Sequence, residues 1–340
     1  MISILSIDGG GVRGIIPAAF LVEFEQRTGK HICELFDLIA GTSTGGILAA
    51  ALTLPSSCGE PEYSAQEVRS AYLERSGPIF HRSALRAVRT LGGLAGPTYS
   101  PHALETMLAQ FLGGKRLHST LTELLIPAYD MASSTPWFFK TSFAKYHRGP
   151  ADDPLLAQVV RATTAAPTYF PPLTLEDHCL IDGGVFASNP ALCAYAQARN
   201  LYPVETDFLM VSLGTGLQVH NRPCLKIDDW GIVNWAAPIS SVMLNASSAS
   251  VNYQMRALIG DEGYVRFQVQ LDDSIGGMDD AGEENILRLE ALARQAVSQQ
   301  SAAIDRVCRM LKRKPGKHSP AGTPTLHPGP ATRLAVPARV

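Results

Sequence analysis

Short apolar runs alternate with longer amphipathic or alanine-rich stretches along the first part of the chain, and this period change is the main structural signal. Ile2 to Ile7 reads as a buried strand. A helix from Ile15 to about Arg27 follows, with Pro17 in its first turn and Gly29 closing it. Phe36 to Ala40 is a second short strand and Ile47 to Leu54 an apolar helix. Two strand–loop–helix units in succession favour a parallel sheet. Ser64 to Arg75 is a helix opened by a capping box of Ser64 and Glu67. Pro101 to Phe111 and Pro154 to Thr164 read as helices, and Leu124 to Met131 and Trp137 to Ser142 as strands. His178 to Ile181 and Asp207 to Leu213 are further strands. Between them Asn189 caps, and Pro190 begins, a helix to about Arg199. Trp230 to Leu258 is mostly helical, Gly263 to Leu271 a late strand, and Glu283 to Lys314 one or two amphipathic helices. From 315 to 340 the chain turns to Pro, Gly, Thr, Ala and Arg without apolar periodicity. That tail is expected to be disordered, leaving 1–314 as the folded domain.

With 46% hydrophobic and 18% charged residues the chain has ample material for a core. A net charge of −2 and a pI near 6.5 give no electrostatic footprint for nucleic acid. The six cysteines (Cys33, Cys58, Cys179, Cys193, Cys224, Cys308) are scattered, with no C-x-x-C pair, which points to free thiols in a reducing compartment. No basic n-region precedes the first strand and no apolar run reaches the length of a membrane span. A soluble, cytoplasmic protein is expected.

The chemistry gathers at loops that follow strands. Gly41-Thr42-Ser43-Thr44-Gly45 is a G-x-S-x-G turn between a strand and a helix. Such a turn projects a serine hydroxyl clear of the backbone, at a helix N-terminus that favours developing negative charge. By composition the pattern arises in about one chain in ten of this length, so its partners must decide. The loop Gly9-Gly10-Gly11-Val12-Arg13-Gly14 leaves the neighbouring parallel strand at the same edge, and its bare backbone amides can face an oxyanion. It also spells G-x-G-x-x-G, but the next strand ends in Gly41-Thr42-Ser43 and not in the acidic residue that a dinucleotide ribose needs. For the base, a Ser–Asp–His triad would pair Asp182 with His220, since His318 and His327 lie in the tail. Alternatively Asp182, at a strand end before Gly183 and Gly184, takes the serine proton directly as half of a dyad. His178 shares the facing of Asp182 and is a third option, read as structural.

DGGGVRG (Asp8 to Gly14), GTSTGG (Gly41 to Gly46) and DGG (Asp182 to Gly184), in this order, resemble the patatin-like phospholipase family. RATTAAPTYFPP (Arg161 to Pro172), DGGVFASNP (Asp182 to Pro190) and SLGTG (Ser212 to Gly216) are similar to further family segments. The resemblance implies a three-layer α/β/α fold with a mainly parallel central sheet. It implies Ser43 as nucleophile and Asp182 as general base, and an oxyanion loop of Gly9, Gly10, Gly11, Arg13 and Gly14. Gly41, Thr42, Thr44 and Gly45 would form the nucleophile elbow and Gly183 and Gly184 the aspartate turn. The activity implied is hydrolysis of fatty-acyl esters of phospholipids, lysophospholipids or neutral lipids, with no metal or cofactor.

A lipid substrate calls for transient contact with a membrane surface, and the stretch Ile79 to Leu91 is a candidate docking segment, beside the alternative of an ordinary surface helix with a solvated basic face. Arg82, Arg86 and Arg89 share one helical face there, with Phe80, Leu85, Val88 and Leu91 elsewhere, a combination suited to an anionic headgroup layer. Two other readings stand beside phospholipase: a triad carboxylesterase using His220, and a non-catalytic lipid-binding module on the same fold. The sequence does not set the oligomeric state.

Overall fold

The computed structural model describes residues 1–80, 96–147, 149–218, 230–231, 234–235, 238–272, 274–313 and 318. Arg82, Arg86, Arg89, His220, His327 and Cys224 lie outside the described residues, as does the tail beyond 313 apart from His318.

Ten strands occur: β1 (Ile2–Ile7), β2 (Leu38–Gly41), β3 (Glu123–Asp130), β4 (Thr135–Lys140), β5 (Leu173–Leu175), β6 (His178–Asp182), β7 (Phe208–Leu213), β8 (Leu217–Gln218), β9 (Tyr264–Phe267) and β10 (Gln270–Leu271) among the described residues. The helices are α1 (Ile15–Thr28), α2 (Ile32–Leu35), α3 (Thr44–Leu52), α4 (Ala65–Ile79), α5 (His102–Leu112), α6 (Thr141–Tyr146), α7 (Leu156–Thr163), α8 (Gly184–Ala187), α9 (Ala191–Leu201), α10 (Pro238–Gly263, kinked at Gly260), α11 (Glu283–Gln299) and α12 (Ser301–Arg313).

One sheet runs β5-β6-β3-β2-β1-β7-β9, with β4 paired to β3. The stretch β3-β2-β1-β7-β9 is parallel, whereas β4, β5 and β6 join through antiparallel pairs. Both faces are covered, so β1 is buried at every position, Ser3 and Ser6 included. Its side chains still alternate: Leu5 and Ile7 pack into one core with α1, α3, α11 and α12, and Ile2 and Ile4 into another with α9 and α10. Helices on both faces of a mainly parallel sheet make the three-layer α/β/α architecture that the sequence predicts.

The register brings two strands together end to end. Leu125 of β3 lies between Ala40 of β2 and Lys140 of β4, and Ala128 between Asp182 of β6 and Trp137 of β4. A strand has two edges, so β2 and β6 share the edge of β3 that β4 does not occupy. They run toward each other and stop within three β3 positions. Asp182, at the end of a strand antiparallel to β3, therefore approaches Ser43 from the opposite direction.

Elements are displaced by a few residues from their predicted spans. The helix after the serine starts at Thr44, the helix predicted from Trp230 is described from Pro238, and the late strand divides into β9 and β10. Elements of three to six residues, α2, α6, α8 and β5, are too short to show a period and have no counterpart in the sequence reading.

Candidate active site

Ser43 stands between β2 and α3 with φ 53° and ψ −120°, a backbone region that side chains rarely enter. Such a conformation persists only where its surroundings over-determine it, and it marks candidate functional positions. Here the fixings are visible. The Ser43 N–H donates to Thr163 Oγ1 at 3.0 Å, and Thr163 donates in turn to the Pro127 carbonyl at 2.6 Å. Thr42 is fully buried and donates to the Ala187 carbonyl at 2.7 Å. Gly45 must be glycine because a Cβ there would sit 2.2 Å from the Ile7 carbonyl oxygen, and one at Gly41 would meet Gly45 equally closely. Although Ser43 occupies the N-cap position of α3, its hydroxyl makes no capping bond. That leaves the oxygen free for other work.

Asp182 ends β6 with a nearly buried carboxylate, whose Oδ1 accepts the Gly184 N–H at 2.7 Å. Burial pushes its pKa up to about 6, against the lowering effect of hydrogen bonding from the Ser43 side chain and the Gly184 amide. Gly183 allows the turn to press on β3, since a Cβ would lie 2.3 Å from the Pro127 oxygen. Ser43 and Asp182 line one cavity of about 620 Å³. Its other walls are largely apolar, with Ile47, Val68, Phe80, Leu104, Met107 and Phe111 among them.

The glycine loop passes over the same cavity, where Gly9, Gly10 and Gly11 are lining residues. The Gly9 N–H is already spent on the Ser188 carbonyl at 3.0 Å. Among the described residues, the N–H groups of Gly10, Gly11 and Thr44 have no acceptor in the surrounding turns and loops. Gly11 has φ +58°, and a side chain there would collide with the Met278 carbonyl. Arg13 and Gly14 are not brought to the cavity. The Arg13 guanidinium turns to the Gly276 carbonyl at 2.9 Å and to Gln218 at 3.4 Å, in a second, polar cavity below the loop. Gly14 instead leaves room for the Thr44 hydroxyl and the Tyr72 ring.

Several positioning residues went unnoticed in the sequence. Tyr72 of α4 donates to the Gly11 carbonyl and pairs with Thr44 Oγ1, both at 2.5 Å, so one phenol ties the glycine loop to the elbow. Its burial raises the phenol pKa and keeps it protonated. Thr215, in the SLGTG segment, donates to the Gly9 carbonyl at 2.7 Å. Arg266 of β9 grips both carboxylate oxygens of Asp8, at 3.1 and 2.6 Å, just before the loop. His178 is bonded to Asp130 at 2.9 Å and packs at a tilt against Trp137, and it does not line the cavity. Among the described residues no cluster of metal-ligating side chains occurs, and no helix is long and apolar enough to cross a membrane.

Relatives extend over most of the chain. "Patatin-like protein 2" of Oryza sativa subsp. indica is 34% identical over 350 residues, covering 90% of this chain and 86% of the relative. "Patatin-like protein 2" of Arabidopsis thaliana is 35% identical over 333 residues, covering 86% and 80%. Among solved structures, human GIVD cytosolic phospholipase A2 in complex with methyl gamma-linolenyl fluorophosphonate aligns with a TM-score of 0.46 at 13% identity, covering 92% of this chain and 59% of that one. Residues 5–195 match the family described as Patatin-like phospholipase, and these contain Ser43, Asp182 and the glycine loop. The chain belongs to the patatin-like phospholipase family.

Proposed function

We propose that the protein is a serine lipid acyl hydrolase of phospholipase A or lysophospholipase type, with Ser43 as nucleophile and Asp182 as general base. Family membership supports lipid acyl hydrolysis. The observation that carries the finer reading is the meeting of an uncapped serine hydroxyl and a desolvated carboxylate in one apolar cavity.

The acyl chain lies along the apolar wall with its ester carbonyl over Ser43. Asp182, ionised above its raised pKa of about 6, accepts the Ser43 proton as the oxygen attacks. The negative charge that develops on the carbonyl oxygen is met by the N–H groups of Gly10, Gly11 and Thr44 at the start of α3. Collapse breaks the ester C–O bond, and the departing alcohol takes the proton from Asp182. Water then attacks the acyl-Ser43 ester, gives its proton to Asp182, and the fatty acid leaves as Ser43 recovers the proton. No histidine is required in this sequence of steps.

Incubation with defined phospholipids, with products resolved by acyl position, tests the reading. Free fatty acid and lysolipid are expected from the native protein, and activity lower by on the order of 10³-fold or more from Ser43→Ala. Unchanged hydrolysis by Ser43→Ala overturns it. Asp182→Asn and His220→Ala made separately distinguish the dyad from a triad, because only loss of the true base costs several orders of magnitude in kcat.

A further inference from the structure

From Trp230 through Met255 the chain contains no Asp, Glu, Lys or Arg, although 18% of the whole sequence is charged. The described part of this stretch includes most of α10, a helix on the molecular surface. Its polarity is inverted relative to an ordinary surface helix. Val242 and Met243, three and four residues after Ile239, share one helical face with Tyr253, fourteen residues after Ile239, and all four point outward, with Met243 61% and Tyr253 74% exposed. Asn245, Ser248 and Asn252 point inward, to the polar cavity under the glycine loop.

The outward stripe is continuous with the candidate active site. Ser240, Met243 and Leu244 of α10 line the cavity that holds Ser43, and so does Val185 of α8, itself 42% exposed and on a helix packed against α10. Met243 is thus both rim and outer surface. We infer that the outward face of α10 rests on an uncharged lipid interface and delivers acyl chains into the Ser43 cavity. An uncharged apolar stripe gains from leaving water and gives up no ionic hydration in doing so. A second copy or another protein seated there would cover the rim through which substrate enters, whereas a lipid surface supplies that substrate. The helix lies in the interface and does not span it. The choice of lipid as occupant rests on the acyl-hydrolase reading, so binding is measured apart from turnover.

The experiment is flotation of the full chain with small vesicles of pure phosphatidylcholine, at about 0.1 and about 0.5 M salt, where ionic attraction is largely screened. Native protein is expected to bind equally at both. Ile239→Glu/Val242→Glu, and separately Tyr253→Ser, are expected to lower partitioning, the double variant by about tenfold or more. Turnover of a water-soluble short-chain ester should remain within about twofold, which also reports that the variants fold. Native-like partitioning of the double variant overturns the inference. So does binding that needs anionic lipid and collapses with salt, or a variant that only turns a dimer into a monomer. Salt-independent binding lost in the variants, with no ester turnover by any protein, leaves the docking surface standing and removes the catalytic reading.

Discussion

A serine at the start of a helix ordinarily turns its hydroxyl onto the helix's own amides. Ser43 does not, and its positive φ holds the oxygen over a cavity floor shared with Asp182. Asp182 bears the opposite burden, a carboxylate kept out of water with its pKa raised to about 6. In the proposed mechanism protonation below that value removes the base, so kcat/KM on a soluble ester should fall as pH drops through about 6. The same shift has a consequence for stability. The unfolded aspartate ionises near 3.8, and between that value and about 6 the folded state holds the proton more tightly. Stability from this group is therefore full at low pH and lost as pH rises through about 6, by at most about 3 kcal/mol. Asp182→Asn should abolish turnover yet raise the melting temperature by a few degrees at pH 8, with little change at pH 4. A variant that melts lower at pH 8 contradicts this.

Elements rather than residues set how Asp182 approaches Ser43. β2 and β6 abut on one edge of β3, and β1 carries the glycine loop beside them. The loop is anchored from β9, where Arg266 holds Asp8 in a two-pronged pair with both side chains over nine-tenths buried. Arg266→Ala strands that carboxylate, and a loss of about 3–5 kcal/mol is expected in denaturant unfolding. Asp8→Asn/Arg266→Met should recover part of it, whereas an Arg266→Ala chain as stable as the native one would show that the pair anchors nothing. Ser43, Asp182 and the glycines were legible in the sequence because tight turns demand small residues at fixed offsets from strand ends. Tyr72, Thr163 and Arg266 were not, because each acts on a loop far away in the chain. Thr163 lies 120 residues from the serine amide that it holds, and Arg266 258 from Asp8. Nor could spacing reveal that β6 runs against β3, since a short apolar strand looks the same in either direction.

At the scale of the molecule, three layers bury the sheet on both faces and leave Ser43, Asp182 and the glycine loop at strand ends, where open α/β sheets place their ligands. Alternating strand and helix patterns pointed to a parallel sheet, and the family resemblance implied the three layers. The inverted face of α10 was not readable, because its outward apolar positions look like core until the fold shows which way they point. On the proposed function, the largely apolar cavity bordered by that face would receive the acyl chain. The account depends above all on Ser43 being activated by Asp182. Labelling with a fluorophosphonate, followed by peptide mass mapping across pH, addresses that dependence directly. The adduct should sit on Ser43, form at a rate that rises with one ionisation near pH 6, and form at least about a hundredfold more slowly in Asp182→Asn. An adduct on another residue, or a Ser43 labelling rate indifferent to the loss of Asp182, would contradict it.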